Sequence, residues 1–421
     1  MNLRSLAPLR HRGFRLLVGG QLASNLGDAF YAVALPWYVL ASHGGALRLG
    51  EVLAAYGIAR AAGLGAGGHV SDRLTPPRAM LGADLTRAVA LAALAAVAAG
   101  SPMHLALVIP VAILAGAGEG IFLPASFAVV PTLLPDDDLQ AGNALSSGGT
   151  QLATLAGPAL GGALVALAGP APAFAIDAGS FLVSALSLFA IRSAAPPAQP
   201  IGAAPHVDSG PEALGLWQII RSEPIVLLIF AINIAANLGS GGMSEVALPA
   251  LAHGPLRAGP TGYGVLVASL AGGALLGTLM AAHAGRPRRP AIVATLAFLI
   301  ESGFMAAVPY LGGAPAAAAA LACFGVCNGF ANVLTITAFQ RWAPPGLLGR
   351  LLGFIMLGSF GIFPVSVLIG GFVVHGFGAA IFFPLAAATL AVTLLFAVSR
   401  AEWRRFGARS AGGSAAAGWS R

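Results

Sequence analysis

The chain has 421 residues, of which 57% are hydrophobic and only 9% charged, with a formal net charge of +7. A soluble protein carries about 25% charged residues, so this composition excludes an ordinary soluble globule. The basic balance does not mark a nucleic-acid binder either: all 22 basic residues are arginine, and they lie between apolar runs instead of in a patch interleaved with aromatics.

A bilayer core needs roughly 20 apolar residues per helix. Twelve such runs follow one another at 14–41, 48–68, 79–99, 104–127, 141–168, 172–191, 224–251, 261–283, 290–311, 315–340, 348–374 and 379–399. The first run is preceded by basic residues, as in a signal peptide, but it continues to about Leu40 and reads as a retained helix. Arg4, Arg10, Arg12, Arg15, Arg73, Arg78, Arg192, Arg221, Arg286, Arg288, Arg289, Arg341, Arg350 and the tail arginines fall on one side of these runs, and only Arg48 and Arg257 in loops on the other. The positive-inside rule then predicts an all-α membrane protein with both termini cytoplasmic. The predicted domains are a bundle at 1–192, a cytoplasmic linker at 193–223 rich in proline, a second bundle at 224–400, and a disordered Ser/Gly/Ala-rich tail at 401–421.

The two bundles are related. Gly116-x-Gly118-Glu119-Gly120 matches Gly325-x-Cys327-Asn328-Gly329 at an offset of 329 − 120 = 209, and the same offset carries Gly161-Gly162 onto Gly370-Gly371. Asn25-Leu26-Gly27 matches Asn237-Leu238-Gly239 at an offset of 212. Two six-helix halves in parallel repeat follow.

Polar residues inside the runs form stripes. Gln21, Asn25 and Asp28 share one face of the first helix, Asn233, Asn237, Ser240 and Ser244 one face of the seventh, and Asn328, Asn332 and Thr335 one face of the tenth, while Glu119 on the fourth is equivalent to Asn328. Exposure of such groups to acyl chains costs several kcal/mol each, so they either line a substrate cavity or join helices by hydrogen bonds. Asp28, Arg60 and Glu119 lie deep in their helices. A carboxylate at that depth is either paired, here with Arg60 on hand to neutralise Asp28 or Glu119, or it is a place to hold a proton. Glu301 in the ninth helix has no evident partner. Asp84 and Arg87, three apart, read as a local ion pair, and Asp177, Glu51 and Glu245 as hydrated residues near the outer ends. Cys323 and Cys327 read as small packing residues. The histidines show no metal spacing, and no Gly-Lys-Ser/Thr phosphate loop is present. Neither a metal nor a cofactor is expected.

The stretch Gly68-x-x-x-Asp72-Arg73 with a following basic residue, Arg78, resembles the loop between helices 2 and 3 of major facilitator superfamily transporters. It departs from that pattern at Thr75-Pro76-Pro77, where the family usually has glycine and basic residues. Gly157-Pro158-x-x-Gly161-Gly162 resembles the core of the helix-5 signature of the exporter branch, although Ala144 and Ala153 replace glycines of the longer signature and Ala112 stands near the place of the family's helix-4 arginine. Pro124-Ala125-Ser126, Leu139-Gln140-Ala141-x-Asn143-Ala144 and Ser180-Phe181-Leu182-x-Ser184-Ala185 look like the macrolide-efflux and siderophore-exporter branch, so the resemblance spans nearly the whole chain. It implies a twelve-helix fold with substrate held between the halves, and a gate in which Asp72 faces the helix start at Gly349-Arg350 while Arg73 or Arg78 faces Asp136-Asp137-Asp138. The resulting reading is a monomeric, non-enzymatic exporter of hydrophobic or amphiphilic small molecules, driven by proton antiport, whose partners are substrate, protons and lipid. The alternatives are a carrier for uptake or facilitated diffusion of a metabolite, and a non-transporting scaffold or sensor.

Overall fold

The computed structural model describes residues 3–42, 44–100, 105–194, 223–285, 287–343 and 348–407, with backbone alone for 3–5, 67–73, 105, 192–194 and 349–350. Among them there is no strand. After a short 3-10 turn at Leu3–Arg10 come α1 (Arg12–Ala41), α2 (Gly45–Arg73), α3 (Pro76–Gly100), α4 (Leu105–Leu133), α5 (Asp136–Ala168) and α6 (Pro170–Ala194). The second half holds α7 (Pro224–His253), α8 (Gly259–His283), α9 (Pro290–Ala307), α10 (Ala314–Trp342), α11 (Leu348–Phe377) and α12 (Ala379–Ser399), followed by a short α13 (Ala401–Arg405). Ten of these helices, α3 to α12, are long and apolar enough to cross a membrane. With 30 and 29 residues, α1 and α2 are each about 45 Å long. They dilute their apolar runs with glycine and polar residues and complete a twelve-helix membrane protein.

The helices outrun the apolar stretches at the polar ends. Asp136, Asp137 and Asp138 fill the first turn of α5, where negative charge complements the helix dipole. Pro76 and Pro77 open α3, where a missing N–H costs nothing. α7 is interrupted by a π-helical turn at Met243–Ala247, immediately before Leu248-Pro249. The Pro249 ring cannot sit against the carbonyl four residues back, and the wider turn relieves that clash. Ser366 on α11 takes up two backbone groups beside the interruption: its Oγ accepts from Gly242 N–H and donates to the Leu238 carbonyl, each at 2.7 Å.

Two compact units emerge. One contains α1–α6 with Ser244–Ala268 and Val367–Ala379, and its core gathers Phe14, Leu17, Met80, Val129 and Leu188. The other takes the remaining described parts of the second half, with Val226, Phe298, Phe339, Leu390 and Trp403 at its centre. The units thus cut across the expected division at 192 and 224, because segments of α7, α8 and α11 pack with the first half. Of the expected linker at 193–223, residues 195–222 lie outside the described residues. The tail differs from expectation at its start: Trp403 is buried and its Nε1 donates to Thr295 Oγ1 at 2.9 Å, while Phe406 stacks on Trp403 and meets Trp342 edge-on. Burying two aromatic rings is enough to order 401–407; residues 408–421 lie outside the description.

Candidate functional site

Small residues bring the polar groups of the first unit together. A Cβ on Gly116 or Gly120 of α4 would fall onto the backbone of Tyr56 or Arg60 of α2, and one on Gly63 would strike Ala117. This backbone contact sets Arg60 Nη2 2.9 Å from Glu119 Oε1, both side chains about three-quarters buried. Gly27 gives α6 room against α1, where Asp177 and Ser180 occupy the space of its missing side chain. Gly118 does the same for the methylenes of Arg87. The Arg87 guanidinium lies 3.9 Å from the centre of the Phe181 ring and pairs with Asp28 through Nη2 and Oδ1.

The sequence expectations fare unevenly here. Of the two partners open to Arg60, the structure chooses Glu119. Asp84 and Arg87 do not form the local pair expected of them: Arg87 reaches across to α1, and both carboxylate oxygens of the wholly buried Asp84 lack a hydrogen bond. Asp177 is likewise wholly buried, not hydrated; Ser180 Oγ donates to its Oδ1 at 3.3 Å, and its Oδ2 has no partner. Helix α6 presses this face against α1 and α3, which the position of Asp177 near a helix end does not reveal. Asp28 differs from the other acids in that 39% of its side chain stays accessible despite its ion pair.

Elsewhere the stripes serve as links between helices. Asn25 Nδ2 donates to Thr150 Oγ1 of α5 at 3.0 Å. Ser359 of α11 donates to Asn233 Oδ1 at 2.9 Å and accepts from Asn237 Nδ2 at 3.4 Å. Ser240 and Ser244 are also engaged, Gln21 is half-buried, and the buried Thr335 hydroxyl has no partner. Glu301, expected to stand alone, accepts from Asn328 Nδ2 at 3.1 Å, and Asn328 in turn accepts from Asn332 at 3.0 Å. Sequence reading missed Thr150, Ser359 and Ser366, although the last two, seven apart on α11, form a stripe of the kind used for the other helices. Glu51 is paired with Arg48 at 2.9 Å on the surface.

The gate motif is only partly visible. The side chains of Gly68, Asp72, Arg73 and Arg350 lie outside the described residues, and Arg78 is exposed. Among the described residues, Asp138 is held by Arg10 Nη2 and His11 Nε2, each at 3.0 Å. The 3-10 turn at the N-terminus brings those two groups over the start of α5. The helix-5 motif is a packing device within the first unit. Gly157 and Gly161 face Ala29 and Phe30 of α1, while Gly162 lies against Pro260 and Gly264 of α8, and Gly264 against Pro158. Gly50 of α2 and Gly371 of α11 repeat this backbone approach.

A family model described as Major Facilitator Superfamily matches residues 17–365. Among characterised relatives, the "Enterobactin exporter EntS" of Citrobacter koseri is 25% identical over 352 residues, covering 82% of this chain and 80% of the relative. That of Salmonella typhi is 25% identical over 351 residues, with coverages of 82% and 81%. Of solved structures, a bacterial homologue of the iron transporter ferroportin in its inward-facing state aligns with a TM-score of 0.70 at 17% identity, over 94% of this chain and 99% of that one. A D-xylose–proton symporter aligns at 0.67 and 13%, over 91% and 96%. Both structural likenesses speak to the fold alone.

Proposed function

Since this chain belongs to the major facilitator superfamily, we propose that it is a proton-driven exporter of hydrophobic or amphiphilic small molecules of the siderophore or macrolide type. It works by alternating access as a monomer in the bacterial inner membrane, with both termini in the cytoplasm. The observation that carries the coupling is the Asp28–Arg87 pair, buried on the arginine side and accessible on the acid side. Taking a carboxylate out of water without a counter-ion costs several kcal/mol, and binding a proton removes that cost. Asp28 is therefore placed to exchange a proton as its surroundings alternate, with Gln21 and Asn25 on the same face of α1 offering hydrogen bonds to substrate. Glu301, tied to Asn328, is a second candidate to hold a proton, and Glu119 becomes one whenever its pair with Arg60 opens. Low-identity kinship with enterobactin exporters supports the direction and the substrate class. The glycine contacts Gly162–Gly264 and Gly50–Gly371 belong to an outer seal, since small residues let helices meet at the backbone and part without dragging side chains.

Inverted inner-membrane vesicles provide the test, with iron-free enterobactin and a radiolabelled macrolide as probes. Vesicles acidified inside should accumulate at least one probe, and a protonophore should abolish the accumulation. Asp28→Asn should still exchange probe across the membrane at equilibrium but not concentrate it. Accumulation indifferent to the protonophore removes proton coupling, and concentration of the probe by intact cells favours the uptake alternative.

A further inference from the structure

Arg87 sits between two carboxylates and uses one. Its Nη2 pairs with Asp28 on α1, while its Nε is buried without a partner. One turn earlier on α3, Asp84 is wholly buried with neither oxygen hydrogen-bonded. Residues three apart on a helix are neighbours, so the guanidinium reaches either acid from the same slot between Gly118 and the Phe181 ring. The other charged and titratable groups around it are Tyr31 on α1, Arg60 on α2, Glu119 on α4 and Asp177 on α6, with Ser180 and Ser184 supplying hydroxyls. Arg60 and Glu119 neutralise one another. Asp177 already accepts from Ser180 and lies on a different helix from Arg87, whereas Asp84 shares the helix of Arg87 and has only the Ser184 hydroxyl beside it.

We propose that Arg87 is a positioning residue that passes from Asp28 to Asp84 when Asp28 takes up a proton, so that the charge of Arg87 is never stranded. This rests on the reading of Asp28 as the proton carrier. The step balances: Asp28 gains one proton from water on its accessible side, Arg87 keeps its positive charge throughout, and Asp84, within the field of Arg87 in both positions, receives the guanidinium as a carboxylate. The two acids divide the work by exposure. Asp28 meets water and exchanges; Asp84, sealed from water, holds the cation while Asp28 is neutral. A neutral Asp28 then costs little, which a carrier that must cycle between two protonation states requires.

A double-mutant cycle on the purified full-length protein tests this, with the unfolding midpoint Tm in detergent as the readout. Asp28→Asn and Asp84→Asn should each lower Tm slightly, because one partner for Arg87 remains. The double variant should fall about 3 °C or more beyond the sum of the singles. Adding Arg87→Gln should restore it, and if the double variant fails to fold, adding Arg87→Gln should restore folding. Asp84→Glu in place of Asp84→Asn should abolish the excess loss. Asp28→Asn with Asp177→Asn should be additive. Additivity at Asp28 and Asp84, or an Asp28→Asn variant as damaged as the double, overturns the hand-over, as does a double variant that Arg87→Gln does not rescue. Coupling fails on a separate readout: protonophore-insensitive accumulation by the wild type removes Asp28 as carrier, and with it the hand-over's purpose, whatever the cycle gives.

Discussion

The interface between α2 and α4 and that between α8 and α10 are built on one plan and filled differently. Gly116 and Gly120 press on the backbones of Tyr56 and Arg60, and Gly325 and Gly329 press on Leu270 and Ala274. Gly63 meets Ala117 as Gly277 meets Val326. The helices correspond at 325 − 116 = 209 for α4 and α10, and at 277 − 63 = 214 for α2 and α8. The backbone contact is thus repeated glycine for glycine. At the same offsets Arg60 becomes Ala274 and Glu119 becomes Asn328, so the first half carries an ion pair where the second has a methyl group and an amide. The amide finds its acid elsewhere, at Glu301 on α9. What the difference teaches is a division of labour: close packing is a property of the repeat, and the ion pair belongs to one copy of it.

The largest effects should come from breaking what the halves share. Gly120→Val and Gly329→Val each place a side chain inside a neighbouring backbone, where no rotamer offers escape. Both should cost about 3 kcal/mol or more and strip folded protein from the membrane. Folded yield after detergent extraction measures this, and a variant tolerated in one half but not in the other would break the equivalence.

Next come the pairs that differ. Arg60→Ala strands Glu119 and should destabilise by about 3–5 kcal/mol, while Arg60→Ala with Glu119→Gln, which approaches the second-half composition, should regain most of that in thermal unfolding. A double variant no better than Arg60→Ala would show that the arginine matters through packing. Asn328→Ala should cost less, about 1–3 kcal/mol, because it removes a neutral donor from a buried carboxylate. Asn328→Ala with Glu301→Gln should recover part of the loss, and additive losses there would remove the Asn328–Glu301 hydrogen bond as the cause.

The smallest effect should be at the surface. Arg10 is 67% exposed where it meets Asp138, and solvent screens such pairs. Arg10→Ala should change stability by about 0.5 kcal/mol or less. A larger loss would make the N-terminal turn a structural clamp on α5.

The repeat, the helices and the family were legible in the chain because they rest on periodic signals. Apolar runs as long as a bilayer is thick have few alternatives to helices, and the glycine spacings of the two halves survive a constant shift. The positions of Asp28, Glu119 and Glu301 in mid-helix were equally plain, since depth follows from counting residues. Their partners were not. Whether Arg87 turns to Asp84 on its own helix or to Asp28 across the bundle depends on how α1, α3 and α6 are rotated, and local spacing says nothing of that rotation. The burial of Asp177 was hidden for the same reason. So was the order of 401–407, where two aromatic residues in an otherwise weak sequence find a ready cleft by Thr295. Composition and period determine which segments cross the membrane and what they carry to mid-depth. Only the tertiary packing decides which charge meets which, because an ion pair depends on the facing angles of two helices and each sequence segment specifies only its own.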